Sequence, residues 1–226
     1  MTDFSILILS AGYGKRMQDL TLKTPKPLLR KKNKTLLENT INFFHEVGCK
    51  EFFINTHYLH KNIELFILNN FKEYPISLVY EPSILGTGGA IQNIFNYTNI
   101  KKICVVNSDI FWKSDNKLDV INFLKNYDEV THCKIMLSKE KNFLGLKKNK
   151  GDFNIKNGNV SNWINGQDIN IYSGLQIVSK KIFNNSSNNF SMYKIWNDLI
   201  VTNNLQGSFI NSKVLHIGDK RSFDDF

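Results

Sequence analysis

Apolar and polar positions divide most of this chain into alternating strand-like and helix-like stretches. Strand-like apolar runs cover residues 4–9, 51–56, 76–81, 102–109 and 131–137. Helical spacing of apolar residues occurs between them at 35–48, 62–71, 88–97 and 117–127. Strands that alternate with helices form parallel sheets. The pattern therefore predicts an α/β fold with a mostly parallel sheet and helices on both faces, a Rossmann-like three-layer α/β/α arrangement.

The pattern changes in the last third of the chain. Residues 139–167 are rich in Lys, Asn and Gly, and their short strand candidates GDFNIK and NVSNWI predict hairpin-like excursions beside the site. A strand at 170–178 returns to the core, and a late helix covers 192–204. Because we find no internal repeat and no dividing linker in 226 residues, we expect residues 1–226 to form a single domain.

Composition places the chain among ordinary globular proteins. No apolar run approaches the roughly 20 residues that span a bilayer, and the start MTDFSILILSAG has no basic leader, so we expect a cytoplasmic protein. Cys49, Cys104 and Cys133 lie far apart, which argues against a disulfide framework and a cysteine zinc site. His57 and His60 form a lone H-x-x-H that favours a polar loop or helix start over a metal site.

The net charge of +9 raises the question of nucleic-acid binding. Nearly all of the positive charge is lysine, since Arg16, Arg30 and Arg221 are the only arginines. Base and phosphate recognition usually draws on arginine, and the chain has no basic-aromatic stripe. We therefore expect neither a nucleic-acid nor a membrane partner, but a general attraction for small anions. The sequence does not indicate an oligomeric state.

Polar or glycine-rich segments follow several predicted strands. These segments are SAGYGKR, LGTGG, NSD and YSG. In open α/β sheets, ligands bind at the carboxyl ends of the strands. We therefore expect the segments to converge on one binding site.

The segment GYGKR allows close approach of a ligand to the backbone, because glycines expose N–H groups. Met17 breaks the dinucleotide pattern G-x-G-x-x-G, and no Walker A motif follows. Arg16 can clamp phosphate oxygens. Pro25 and Pro27 are expected to hold Lys26 in an extended segment. Taken singly, each feature also fits a plain surface turn.

Together, G-x-G-x-R followed by P-K-P resembles the signature of sugar-1-phosphate nucleotidyltransferases. Further segments resemble the family in its order: INTHYLHKNIELFI, LGTGGAI, VVNSDIFW, KGDFNI, YSGLQI and HIGDKRSFDDF. Length and layout are most similar to the short N-acetylmuramate 1-phosphate uridylyltransferases. The segment LGTGGAI is more similar to mannose- or heptose-1-phosphate guanylyltransferases.

The resemblance implies a fold of the nucleotide-diphospho-sugar transferase type and a Mg²⁺-dependent reaction. An NTP, either UTP or GTP, and a sugar 1-phosphate would give an NDP-sugar and pyrophosphate. The implied roles are nucleotide binding by Ala11, Gly12, Gly14, Glu81, Gly86, Thr87 and Gly88, catalysis by Arg16, Lys26 and Asp109, metal binding by Asp109 and His216, and sugar-phosphate binding by Asn107 and Gly174.

Two departures from the family pattern leave alternatives open. The family commonly ends with a W-x-D-x-G-T-like segment, whose aspartate is a second metal ligand. Here VLHIGD places His216 there, so His216 ligates weakly, Asp219 substitutes, or Asp109 acts with waters alone. Larger relatives also carry a Glu-Lys pair that NVSNWING lacks. Nearby Lys147, Lys148 and Lys150 are either sugar-phosphate anchors or a solvated face.

The base and the acceptor also remain open. If Glu81 points inward, its carboxylate can accept from two donors of guanine, which favours GTP. If Glu81 faces solvent, the overall layout favours UTP. Rival functions are a transferase of the same fold with phosphocholine or the molybdenum cofactor as acceptor, a non-catalytic nucleotide-binding subunit, and a lysine-rich nucleic-acid binder.

Overall fold

The computed structural model describes residues 4–127, 131–183 and 188–226, so residues 1–3, 128–130 and 184–187 of the expected domain lie outside the description. The described strands, in chain order, are β1 (Phe4–Leu9), β2 (Arg30–Lys31), β3 (Lys34–Thr35), β4 (Cys49–Thr56), β5 (Ile76–Tyr80), β6 (Lys102–Asn107), β7 (Ile110–Phe111), β8 (Cys133–Lys139), β9 (Phe143–Leu144), β10 (Phe153–Lys156), β11 (Asn159–Asn162), β12 (Asn170–Ser179), β13 (Leu205–Ile210) and β14 (Val214–His216). The described α-helices are α1 (Leu36–Glu46), α2 (His60–Asn70), α3 (Gly86–Tyr97), α4 (Lys117–Lys125), α5 (Met192–Val201) and α6 (Lys220–Asp225).

The main sheet has nine strands within the described residues, in the order β10-β11-β13-β8-β12-β6-β1-β4-β5. Strand β1 pairs in parallel with β4 and β6, β4 with β5, and β13 with β8. Strands β11 and β12 run against their neighbours. The predicted mostly parallel sheet is therefore confirmed.

Alternation of side chains along the central strands creates two apolar layers. Ile6 and Ile8 of β1 face a cluster that includes residues of α1, α2 and α4. Leu7 faces the opposite cluster, which includes residues of α3 and α5. Because successive side chains of a strand point to opposite faces, a continuous apolar run buries both faces and gives three layers.

A third apolar cluster lies beneath the segment that leaves β1. It contains Met17, Leu29, Leu36, Phe111, Leu215 and Ile217. Met17 is fully buried there, in a 3₁₀ helix that spans Lys15–Thr21. The side chain that breaks the dinucleotide pattern therefore anchors this segment to β7 and β14.

The later part of the chain differs from the prediction in two respects. The sequence analysis missed β13, which pairs in parallel with β8, and extended the late helix past Val201, the last residue of α5. The expected hairpin exists as β10 and β11, but it forms an edge of the main sheet instead of an excursion beside the site. Among the described strands between residues 139 and 167, only the short β9 lies outside the main sheet, in a small sheet where it pairs with β14.

No described helix combines the length and the apolar character that crossing a membrane requires.

Candidate active site

A cleft of about 550 Å³ opens at the carboxyl ends of β1, β4, β5 and β6. Of the residues predicted for the site, it is lined by Ala11, Gly12, Gly14, Arg16, Lys26, Glu81, Gly86, Thr87, Asn107 and Asp109. Pro27, which was expected to hold Lys26, also lines the cleft. The sequence analysis assigned no individual role to the other lining residues, which are Leu9, Ser10, Tyr13, Lys15, Asn55, Ile84, Ser108 and Gly218. Parallel strands bring these distant segments together, because their carboxyl ends share one edge.

The loop after β1 presents backbone to the cleft. A Cβ atom built on Gly12 would meet no atom within 4 Å, so its Cα faces open space. Gly14 has φ +67°, and a Cβ atom there would lie 3.0 Å from the Thr21 side chain and 3.1 Å from that of Lys26. Arg16 is exposed and lines the cleft. The loop thus combines accessible backbone with an exposed guanidinium, which suits an anionic ligand.

Lys26 projects from a tight turn into the floor of the cleft. The expectation of an extended segment is wrong for Lys26 itself, because Lys26–Leu28 forms a 3₁₀ turn after an extended Pro25. The Lys26 ammonium donates to Asp109 Oδ2 at 2.8 Å and to the Gly218 carbonyl at 3.3 Å. The turn therefore aims a largely buried cation at the carboxylate that follows β6.

Asp109 sits between two nitrogen groups. His216 Nε2 lies 3.4 Å from Asp109 Oδ2, the oxygen that also accepts from Lys26. Burial alone would raise the pKa of Asp109, but the charge of Lys26 and the contact with His216 hold that pKa well below its usual range. The buried Asp109 Oδ1 has no hydrogen-bond partner among the described residues. An ionised carboxylate with one free oxygen suits a hard cation.

The structure uses Asp219 as a helix cap. Asp219 Oδ1 accepts from the Ser222 N–H at 2.8 Å, and Ser222 Oγ accepts in return from the Asp219 N–H at 3.1 Å. The Ser222 backbone hydrogen bond lowers the pKa of Asp219, with a smaller contribution from the charge of Arg16. Asp219 does not line the cleft. Capping of α6 therefore explains this aspartate without a metal.

The glycines of LGTGG mainly permit close packing. The N–H groups of Gly88 and Gly89 both donate to the Phe190 carbonyl, at 2.9 and 3.2 Å. A Cβ atom on Gly86 would lie 2.6 Å from that carbonyl oxygen, and one on Gly88 would lie 2.3 Å from the Phe190 ring. Gly86 and Thr87 line the cleft, whereas Gly88 packs beneath it.

The segment YSG does not end a strand, which corrects the prediction. Gly174 lies inside β12 with φ +82°, where the pairing of β12 with β8 shifts register. A Cβ atom there would lie 3.2 Å from Asn107 Cβ and 3.0 Å from the side chain of Ile110. The predicted sugar-phosphate pair, Asn107 and Gly174, is therefore in contact, although only Asn107 lines the cleft.

The remaining basic and metal-ligating candidates lie elsewhere. Lys148 pairs with Asp152, and Lys147 lines a separate cavity beside α6. His57 and His60 follow β4, and His60 begins α2, as the helix-start interpretation expected. In the part of the chain that the structure describes, no group of three or more His, Cys, Asp or Glu side chains could hold a metal ion.

Glu81 is buried at the cleft, with only 1% of its surface exposed. The alternative in which Glu81 faces solvent is therefore wrong. Asn55, which the sequence analysis did not single out, also lines the cleft and is 4% exposed. Its signal in the sequence is an amide at the end of the otherwise apolar run FFIN.

A family profile described as nucleotidyl transferase matches residues 5–156, which include the loop after β1, Lys26, Glu81 and Asp109. The chain belongs to the nucleotidyl transferase family. The match ends before β12, so it does not include Gly174 or His216.

Other nucleotidyl transferases resemble parts or all of the chain. D-glycero-alpha-D-manno-heptose 1-phosphate guanylyltransferase of Aneurinibacillus thermoaerophilus is 30% identical over 48% of this chain and 47% of its own length. N-acetylmuramate alpha-1-phosphate uridylyltransferase of Neisseria meningitidis is 33% identical over 48% of both chains. Each alignment thus spans about half of the relative. The crystal structure of HddC from Yersinia pseudotuberculosis has a TM-score of 0.79 at 21% identity, covering 98% of this chain and 97% of that one, and so shares the fold.

Proposed function

We propose that this protein transfers a nucleoside monophosphate from an NTP to a sugar 1-phosphate. A sugar-phosphate oxygen attacks the α-phosphorus, the bond from that phosphorus to the bridging oxygen breaks, and pyrophosphate leaves with the electron pair. The observation that carries the proposal is the Lys26–Asp109 pair, at 2.8 Å, in a cleft that the exposed backbone around Gly12 also lines. The family and the relatives named above support the same reaction class.

The proposed reaction needs no general base. The attacking phosphate oxygen is already ionised at neutral pH, so the barrier lies in bringing two polyanions together and in charge build-up on pyrophosphate. Positioned cations lower both parts of this barrier. We assign these roles to Lys26 in the floor of the cleft and to Arg16 at its rim.

The residues around Asp109 fit a magnesium ion that is shared with substrate. Mg²⁺ usually takes one or two carboxylates and completes its shell with phosphate oxygens and waters. The free Asp109 Oδ1 supplies such a ligand, and His216 lies next to the same carboxylate. When bound, the ion would neutralise charge on the phosphates. Imidazole is a poorer magnesium ligand than a carboxylate, so we assign His216 mainly to holding Asp109.

Asn107 and Gly174 are assigned to the acceptor. Asn107 lines the cleft beside Asp109, and the missing side chain at Gly174 keeps the space next to Asn107 clear. The names of the two relatives suggest heptose 1-phosphate and N-acetylmuramate 1-phosphate as acceptors to test, and the resemblance of LGTGGAI adds mannose 1-phosphate.

We assign the base to guanine. A buried carboxylate accepts hydrogen bonds, and guanine presents two adjacent donors, N1–H and the 2-amino group. Uracil presents one N–H between two oxygens, which a carboxylate repels. The burial of Glu81 on the cleft wall supports GTP over UTP.

The proposal is tested by measuring pyrophosphate release for GTP, UTP, dTTP, CTP and ATP, each combined with each of these acceptors. We expect release that requires both substrates and is fastest with GTP. Phosphocholine belongs in the panel, because turnover with it alone would assign a different acceptor. Absence of release with every pair would contradict the proposed function, and fastest release with UTP would contradict only the assignment of the base.

A further inference from the structure

A hydrogen-bond chain joins the carboxyl ends of three neighbouring strands. The Ser10 N–H donates to Asn55 Oδ1 at 2.8 Å. Asn55 Nδ2 donates to Glu81 Oε1 at 2.8 Å, and the Leu85 N–H donates to Glu81 Oε2 at 3.2 Å. Ser10, Asn55 and Glu81 are each at most 4% exposed, and all three line the cleft. These hydrogen bonds run from the backbone after β1, through Asn55 of β4, to Leu85 at the start of α3.

The neighbours of Asn55 determine how its amide is oriented. The Ser10 N–H needs an acceptor, so the Asn55 oxygen must face β1. The Asn55 nitrogen must then face Glu81, where only an acceptor can satisfy it. Leu9 pairs with Asn55 in the register of the parallel strands β1 and β4, which fixes the position of Asn55 along β4 relative to Ser10. The amide therefore holds the carboxylate after β5 at a fixed position relative to the backbone after β1.

The chain also determines what Glu81 can offer to a ligand. Each carboxylate oxygen has about two lone-pair sites. One site on each oxygen is used, by Asn55 on Oε1 and by Leu85 on Oε2. Within the described residues, each oxygen therefore keeps one acceptor site. Burying a carboxyl group is costly without such donors, so the amide of Asn55 also helps to keep Glu81 in its buried position.

We propose that Asn55 is a positioning residue for selection of the nucleobase. Resting on the proposed function, this inference assigns the base contact to Glu81 and its orientation to Asn55. The amide holds the Glu81 carboxylate at the cleft wall with two acceptor sites free, a pattern that matches two donors on the base. Loss of the amide should therefore change the preference between bases more than it changes the rate of nucleotidyl transfer.

Asn55→Asp tests the inference directly. It would place two carboxylates at a hydrogen-bond distance, so one must keep a proton or Glu81 must turn away. We expect the ratio of kcat/KM for GTP to that for UTP to fall by about tenfold or more, as expected for losing one hydrogen bond to a charged group. The kcat with the best nucleotide should fall less than this ratio.

A double variant separates positioning from stability. In Glu81→Gln alone, the amide of the new glutamine cannot accept from both Asn55 and Leu85, which leaves two donors facing each other. In Asn55→Asp with Glu81→Gln, the new aspartate accepts from the Ser10 N–H and the new glutamine, and the glutamine oxygen accepts from the Leu85 N–H. The double variant should unfold at a higher temperature than the Glu81→Gln single variant, yet should lack the native preference for GTP.

Asn39→Asp is the matched control. Like Asn55, Asn39 is buried, and its amide both donates and accepts a hydrogen bond. Its partners are the carbonyl and the N–H of Trp112, and it lies outside the cleft. This control should lose stability without changing the GTP-to-UTP ratio.

Rates are measured on the full chain, with binding of GTP and UTP measured by calorimetry in parallel. If native protein turns over but folded Asn55→Asp or the double variant keeps the native base ratio, the inference is overturned. If native protein shows no turnover, the proposed function fails, and the calorimetric base ratio still decides the role of Asn55.

Discussion

Asp109 carries the most unusual electrostatics of the cleft. Its Oδ2 accepts from Lys26 and lies near His216, while its Oδ1 has no hydrogen-bond partner in the described part of the chain. Burial raises the pKa of the carboxyl, but the two partners outweigh burial and lower it. The group is therefore ionised at any pH where the enzyme would work, and no proton has to leave before a cation binds.

Replacing Asp109 should abolish turnover. Asn keeps the shape and one acceptor oxygen for Lys26, so we expect Asp109→Asn to fold while losing the charge that a cation needs. Removing divalent ions from native protein with EDTA should have the same effect, reversed by excess Mg²⁺. Pyrophosphate release measures both, and His216→Ala should lose less.

Asp19→Asn is the control for the loss of a carboxylate, because Asp19 forms an exposed ion pair with Lys220 outside the cleft. Surface pairs of this kind contribute little. Undiminished turnover in EDTA would contradict the assigned role of Asp109. A loss for His216→Ala equal to that for Asp109→Asn would make His216 a full ligand.

Lys26 is predicted to act mainly in the transition state. Lys26→Ala should lower kcat more than it raises KM, with a total loss of about 2.7–4 kcal/mol, the size typical of one preorganised electrostatic contact. Lys15→Ala should lose less, because the Lys15 amine lies over the Tyr13 ring, 5.4 Å from its centroid. Steady-state kinetics with both substrates varied measure the difference. Near-normal kinetics for Lys26→Ala would reduce the Pro-Lys-Pro turn to a structural role.

At the scale of elements, apolar periodicity was sufficient for the central strands and their helices. The apolar run of β1 predicted burial on both faces, and the structure places Ile6 and Leu7 in opposite layers. Strand β13 was missed because LQGSFI contains Gly207 and follows directly on a helical pattern. Its strand conformation comes from pairing with β8, a long-range contact that a local pattern does not contain.

The loop after β1 gives a test of its two glycines. Gly14→Ala should cost about 1–2 kcal/mol of stability, because its φ of +67° is left-handed and Thr21 and Lys26 crowd the new methyl group. Gly12→Ala meets open space, so its unfolding temperature should equal that of native protein. The methyl group added at Gly12 should nevertheless raise the KM for NTP by occupying the cleft. An unchanged KM would show that the loop does not contact nucleotide.

Helix α5 should make the fold sensitive to alkali. Partial desolvation of this half-exposed side chain, reinforced by Asp152, raises the pKa of Tyr193 to about 12. In unfolded protein a tyrosine ionises near pH 10, so between about pH 10 and 12 the folded state binds more protons, and stability falls as pH rises. Urea unfolding of native protein and Tyr193→Phe at pH 9 and pH 11.5 measures this. We expect a smaller loss in the variant, and equal losses would exclude Tyr193 as a cause.

At the scale of the whole molecule, the site was predictable where it consists of segments that follow parallel strands. Such segments share one edge in any sheet of this type, so Gly12, Gly86 and Asp109 were expected to converge. Whether Glu81 points into the cleft was left open. Asn55 was not singled out, because its role depends on the distance to Glu81 across paired strands. Gly174 was misplaced for a related reason: β12 runs antiparallel to β6, so a residue inside β12, and not one at its end, lies against Asn107 of the cleft wall.

The net charge of +9 is a property of the whole molecule and should affect how fast NTP associates with the protein. A positive protein attracts a polyanionic substrate over distances that salt screens, with a Debye length of about 10 Å at 0.1 M and about 3 Å at 1 M. We therefore expect kcat/KM for NTP to fall as salt rises, with a smaller change in kcat. Lys15→Glu and Lys72→Glu lower the net charge equally. Lys15 lines the cleft at the carboxyl ends of the strands, whereas Lys72 precedes the amino end of β5. If the field at the cleft governs association, Lys15→Glu should weaken the salt dependence more than Lys72→Glu. Equal effects would assign the attraction to total charge, and a kcat/KM independent of salt would exclude long-range attraction altogether.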